Sequence, residues 1–160
     1  MKNKKVKRFI ILLLIILWAF LIFGFSSQNG DESSGLSRKI VELFTKNEET
    51  IQLVEPYVRK LAHFSEYGLG GILFVALFTT YEWTDKKIII TSILLGIWYA
   101  VTDEVHQLMV PNRHGSLFDV YLDSLGFSTG VFFAMMIIEI KRTLKNKKVN
   151  EGLKWLILRD

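Results

Sequence analysis

The sequence contains no cysteine in 160 residues, which excludes a disulfide scaffold, cysteinyl metal ligation and thiol catalysis. Charge is absent over long intervals: residues 9–25, 68–80, 88–101 and 126–138 carry no Asp, Glu, Lys or Arg. Runs of that length, in a chain that is 50% hydrophobic, select a small membrane bundle over a soluble domain. Proline is scarce, and its two copies mark expected breaks. Pro56 limits any helix over residues 45–59, and Pro111 opens a tight loop with Asn112, Arg113, His114 and Gly115. No internal repeat, low-complexity tract or H-E-x-x-H motif is present, and no A-x-A-like cleavage site follows the first apolar run.

What the chain does have is basic ends. The formal charge of +4 is concentrated in KNKKVKR and KRTLKNKK, each adjoining an apolar segment. Beside a membrane such blocks set orientation and touch anionic headgroups, so nucleic acid is not the expected partner. The expected fold class is all-α: a polytopic membrane protein, a four-transmembrane-helix bundle with a short outer amphipathic helix. The domain reading runs from a basic cytoplasmic N-terminus (1–8), through a four-span membrane domain (9–140), to a basic cytoplasmic tail (141–160) containing an interfacial helix. The spans fall at about 9–25, 61–81, 88–107 and 117–140, with an outer loop over 26–60. In that loop Leu36, Ile40, Leu43 and Phe44 recur at helical spacing and predict a surface helix.

The N-terminus has five cations in eight residues, and Lys86, Lys87, Lys141 and Arg142 flank the other ends assigned to that side. The opposite short loop has one, Arg113, and the long loop mixes its five cations with six acids. Both termini are therefore expected in the cytoplasm, with the protein multi-pass in the plasma membrane.

This topology predicts a convergence. Span two begins at the outer face with Lys60, His63, Glu66 and Tyr67; span three ends there with Asp103, Glu104, His106 and Gln107; span four begins there with Asp119 and Asp123. Ionisable groups among membrane-grade apolar segments are expensive to keep, so a functional site is the default hypothesis. At about 100° per residue, His63 and Tyr67 share a face, as do Asp103 and Gln107, and Asp119 and Asp123. Gly126-x-x-x-Gly130 continues that last stripe and lets another helix approach closely.

These residues also carry a resemblance. Lys60-x-x-His63-Phe64-x-Glu66-Tyr67, Asp103-Glu104-x-His106-Gln107 and Arg113-x-Gly115-Ser116-x-x-Asp119-x-x-x-Asp123-Ser124-x-Gly126 resemble the signature of the VanZ-like family, as does Phe25-Ser26-Ser27-Gln28. The resemblance implies a small polytopic membrane protein, in a family whose founding member is associated with low-level resistance to teicoplanin. It implies a phenotype, and no reaction.

Several chemistries stay open on the residues alone. As a binding pocket, Lys60, His63, Glu66, Tyr67, Glu104, Gln107, Arg113, Asp119 and Asp123 would take membrane lipids or lipid-linked envelope precursors. As an enzyme acting on such substrates, the chain would use His106 with Asp103 for acid–base work, with Arg113 beside a phosphate. As an organiser, the same charges would only hold the helices in register. A transporter would need a homo-oligomer, since four spans lack paired interrupted helices. The His63-x-x-Glu66 and Asp103-x-x-His106 pairs could also hold an ion, but no metal and no cofactor is assigned. Ser116 reads as the N-cap of span four and His114 as an exposed loop residue.

Overall fold

The computed structural model describes residues 2–27, 30–111 and 115–157. It consists of five α-helices: α1 (Lys2–Ser26), α2 (Gly30–Glu42), α3 (Glu48–Phe78, closed by a 3-10 turn at Thr79–Tyr81), α4 (Asp85–Gln107) and α5 (Leu117–Ile157). The described residues contain no strand. Helices α1, α3, α4 and α5 are each long and apolar enough to cross a membrane. Their outer faces carry exposed Phe9, Phe20, Leu94, Trp98 and Phe132. Helices can span hydrocarbon because every backbone group is bonded within the segment, and lipid covers such apolar faces. The protein is an all-α, multi-pass membrane bundle.

Helices α3 and α5 form the central pair, held at backbone distance by glycine. A Cβ on Gly126 would collide with the Phe64 carbonyl, and one on Gly130 with the Gly68 carbonyl. On α3, a Cβ on Gly71 would strike the Phe127 carbonyl and come within 2.8 Å of the Val131 nitrogen. The small-residue spacing of α5 thus does what it predicts: two backbones touch because no side chain stands between them. Helix α1 packs onto this pair through Trp18, whose indole ring lies against Gly70. Phe127 fills the notch left by Gly96 on α4. The buried core runs along these contacts and includes Trp18, Ile22, Tyr67, Val75, Ala100, Phe127 and Val131.

Two boundaries differ from the sequence expectation. Helix α3 passes through Pro56 rather than stopping near it. Proline removes one intrahelical hydrogen bond, but the segment before it is anchored independently. Asn47 caps the helix by accepting the Thr50 N–H at 3.1 Å, and Ile51 is buried, as is Val41 of the adjoining α2. Arg38 of α2 bridges Glu42 and Glu48, at 2.8 and 2.6 Å. Residues 48–60 are therefore the first part of a 31-residue helix, not loop. Likewise α5 does not end where its hydrophobicity does. It continues through Lys141 and Arg142 to Ile157 as one helix of 41 residues, where a separate tail helix was expected.

Helix α2 coincides with the expected amphipathic segment. It turns Ser37 and Val41 inward and leaves Leu36 and Ile40 exposed, with Leu43 and Phe44 exposed just beyond its end. At the opposite end of the bundle, ion pairs tie the helix ends together. Arg8 donates to the Thr80 hydroxyl and carbonyl, Lys4 pairs with Glu82 at 2.6 Å, and Arg142 clamps Asp85 with bonds of 2.6 and 3.0 Å. Arg8 and Lys87 also sit over the Tyr81 and Trp83 rings, at 4.0 and 4.2 Å, the mixture of aromatic and cation that favours a membrane–water interface.

Candidate functional site

At the end of the bundle where α5 begins, α3, α4 and α5 enclose a cavity of about 220 Å³. Helix α3 contributes Glu55, Pro56, Arg59, Lys60 and His63; α4 contributes Glu104 and Gln107; α5 contributes Asp119, Leu122 and Asp123. Local sequence explains each placement. On α3, Glu55, Arg59, His63 and Tyr67 follow at intervals of four and so form one stripe. On α5, Asp119 and Asp123 are one turn apart. Ser116 starts that helix as expected: its hydroxyl accepts the Phe118 N–H at 3.2 Å, and its carbonyl accepts the N–H groups of Asp119 and Val120. Glu104 fixes this start from across the bundle, accepting the Ser116 N–H at 2.8 Å.

The charges are layered. Near the mouth, Lys60 approaches Asp119 at 3.8 Å and lies over the Phe118 ring at 4.4 Å. Arg59, also on the lining, makes no ion pair among the described residues. Deeper in, Asp123 is 1% exposed, and neither of its carboxylate oxygens has a hydrogen-bond donor among the described residues. On α4, Gln107 donates to one oxygen of Asp103 at 3.2 Å, while the other Asp103 oxygen makes no hydrogen bond of good geometry among the described residues. Tyr67, fully buried, stands in electrostatic range of Asp103 and Asp123. Unpaired buried polar atoms cost about 1–3 kcal/mol each. Asp103 and Asp123 bring three such oxygens together on neighbouring helices.

Off the cavity lining, an aromatic cluster joins α1, α3, α4 and α5. Trp18 meets Tyr67 edge-on at 6.1 Å and Tyr99 at 4.9 Å, and Phe127 packs against it at 6.3 Å. Two of the cluster's three polar tips are satisfied by backbone: Trp18 Nε1–H donates to the Glu66 carbonyl at 2.8 Å, and the Tyr99 hydroxyl to the Ala19 carbonyl at 2.9 Å.

Of the residues selected from the sequence, Lys60, His63, Glu104, Gln107, Asp119 and Asp123 share the cavity wall. Asp103 and Tyr67 are buried, while Glu66, in charge range of Asp103, is partly exposed; none of the three is on the lining. His106 is elsewhere: its ring packs on Phe23 of α1, centroids 4.1 Å apart. At 100° per residue, Glu104 and His106 point to nearly opposite sides of α4, so only one of them can face α5. Arg113 and His114 lie outside the described residues, as does Gln28. Among the described residues no three His, Asp or Glu side chains are grouped to hold a metal ion. Sequence reasoning missed Glu55, Pro56, Arg59 and Leu122. The four-residue spacing from His63 back to Arg59 and Glu55 was the available signal, hidden by the expected break at Pro56.

No curated protein and no solved structure matches this chain. A family model does, over residues 9–139, a stretch that contains all four apolar helices up to the second half of α5 and every residue of the cavity wall. With more than four-fifths of its length matched, the chain belongs to the VanZ/LLP1 family.

Proposed function

We propose that this VanZ/LLP1 protein acts in the cell envelope, binding a lipid headgroup or lipid-linked envelope precursor in its charged cavity, and thereby lowers susceptibility to teicoplanin-type lipoglycopeptides. The observation that carries this reading is the cavity itself: charged side chains from three spans meet in about 220 Å³ at one end of an apolar bundle. At roughly 30 Å³ per water, that space suits a polar headgroup, with its acyl chains outside against exposed helix faces. The binding reading is favoured over catalysis by His106 because that ring packs on Phe23, off the cavity wall. With both termini cytoplasmic, the cavity opens in the outer leaflet of the plasma membrane, where an acyl-anchored glycopeptide works.

The test is expression in a sensitive Gram-positive host. Tolerance to teicoplanin should rise modestly, and tolerance to vancomycin much less, since vancomycin lacks the acyl anchor. Arg59→Gln and Asp123→Asn should each remove the effect at normal membrane abundance. Equal protection against both drugs would indicate an altered peptide target and end the lipid-facing mechanism. No protection would make resistance the wrong function for this member.

A further inference from the structure

The cavity contains more information than its size. Its wall carries four carboxylates, Glu55, Glu104, Asp119 and Asp123, against two cations, Arg59 and Lys60. Lys60 is already engaged with Asp119, and Glu104 holds the Ser116 N–H. Among the groups left to meet a ligand are Arg59, with no ion pair among the described residues, Glu55, one of whose oxygens is unpartnered there, and Asp123. Asp123 is 99% buried, since its exposure is 1%, and both its oxygens lack donors among the described residues. Asp123 lies one helical turn, about 5–6 Å, from Asp119 along α5, on the same lining as Arg59.

We propose that the cavity selects a zwitterionic amino-phosphate headgroup, its phosphate at Arg59 and its primary ammonium at Asp123. This deepens the headgroup reading above and rests on it. An anionic headgroup with a neutral polyol tail would satisfy Arg59, yet it would add net negative charge to a wall already richer in carboxylates. An amino-phosphate adds none, and its N–H groups supply what the Asp123 oxygens lack. A quaternary amine has no N–H to give. Recognition of such a group uses an aromatic cage, and no Trp, Tyr or Phe is among the described residues lining the cavity.

The experiment is calorimetric titration of the full-length protein in nonionic detergent with short-chain phosphatidylethanolamine, phosphatidylglycerol and phosphatidylcholine, and with chain-free O-phosphoethanolamine. Phosphatidylethanolamine should bind at least tenfold more tightly than either other lipid. Asp123→Asn should abolish that preference, and Arg59→Gln should weaken binding of every phospholipid. Equal or tighter binding of phosphatidylglycerol overturns the ammonium assignment and leaves the headgroup reading standing. Binding of none of the lipids overturns both. A preference that survives in Asp123→Asn overturns the role of that carboxylate. Chain-free O-phosphoethanolamine binding as tightly as the lipid supports the amino-phosphate chemistry and overturns the membrane as its source. The comparison of lipids on the unaltered protein decides the question even if a variant fails to fold.

Discussion

Gly130→Ala is the smallest change that tests the architecture around the cavity. The added methyl would be driven into the Gly68 carbonyl, with the carbonyl carbon of Gly68 at 2.7 Å and its Cα at 3.0 Å. All three atoms are backbone, so no rotamer change relieves the overlap, and α3 and α5 must separate along their length. Overpacking typically costs about 1–3 kcal/mol, and a contact between two backbones belongs at the upper end. The better helix propensity of alanine returns at most about 1 kcal/mol. A net loss of roughly 2 kcal/mol should lower the melting temperature by about 4–8 °C on the scale of domains this size. The assay is thermal unfolding in detergent, with Gly24→Ala as the control. A Cβ at Gly24 meets nothing within 4 Å, so that variant should melt at or slightly above the parent. Separation of α3 from α5 should also spread Lys60 from Asp119 and weaken ligand binding. If Gly130→Ala melts with the parent, the helices are not in backbone contact and the shape of the cavity must be reconsidered.

Three further expectations follow from other parts of the molecule. Single cysteines at Asn47 and Asn112 should react with a membrane-impermeant thiol reagent on intact cells, whereas cysteines at Asp85 and Asn146 should not; labelling at Asp85 would reverse the proposed orientation. Alanine at Asp103 and at Gln107, which share a buried 3.2 Å hydrogen bond, should be non-additive by about 0.5–3 kcal/mol in detergent melting, and strict additivity would place them in separate environments. At the other end, the Lys4 ammonium holds the Glu82 carboxyl below its ordinary 4.5. A depressed carboxyl contributes stability above its unfolded pKa and loses it as pH falls through the lower folded value. Replacing Lys4 by Ala should therefore lower melting slightly at neutral pH and not at all in acid, so that the dependence on pH below about 4.5 is flatter; the effect is small because the pair is exposed. A steeper acid limb in the variant would contradict the pairing.

The number of spans and the end of the bundle that holds the charges were legible in the sequence. Membrane insertion is set by the summed transfer cost of consecutive residues, and uncharged runs such as 9–25 and 126–138 report it directly. The stripes Asp119–Asp123 and His63–Tyr67 were legible for a similar reason, since helical periodicity is a property of one segment. The close approach along Gly126 and Gly130 was legible on one helix, but not its partner, the Phe64–Gly68 backbone.

What only the tertiary structure decided was which faces look at each other. His106 and Glu104 are equal candidates in a linear motif, and the packing of α4 between α1 and α5 sends one to Phe23 and the other to Ser116. Arg59 and Glu55 entered the cavity because α3 runs through Pro56: the local loss of one hydrogen bond is outweighed by the Asn47 cap and by burial of Ile51, neither of which a window around proline contains. Trp18, twelve residues or more from any charged residue on its C-terminal side, came to pack on Tyr67 and Gly70 of α3. A residue's energy in lipid is additive along the chain and can be summed from sequence. The direction it faces depends on the azimuth of a helix fixed by contacts far away in the chain, and that emerges only when the helices are packed.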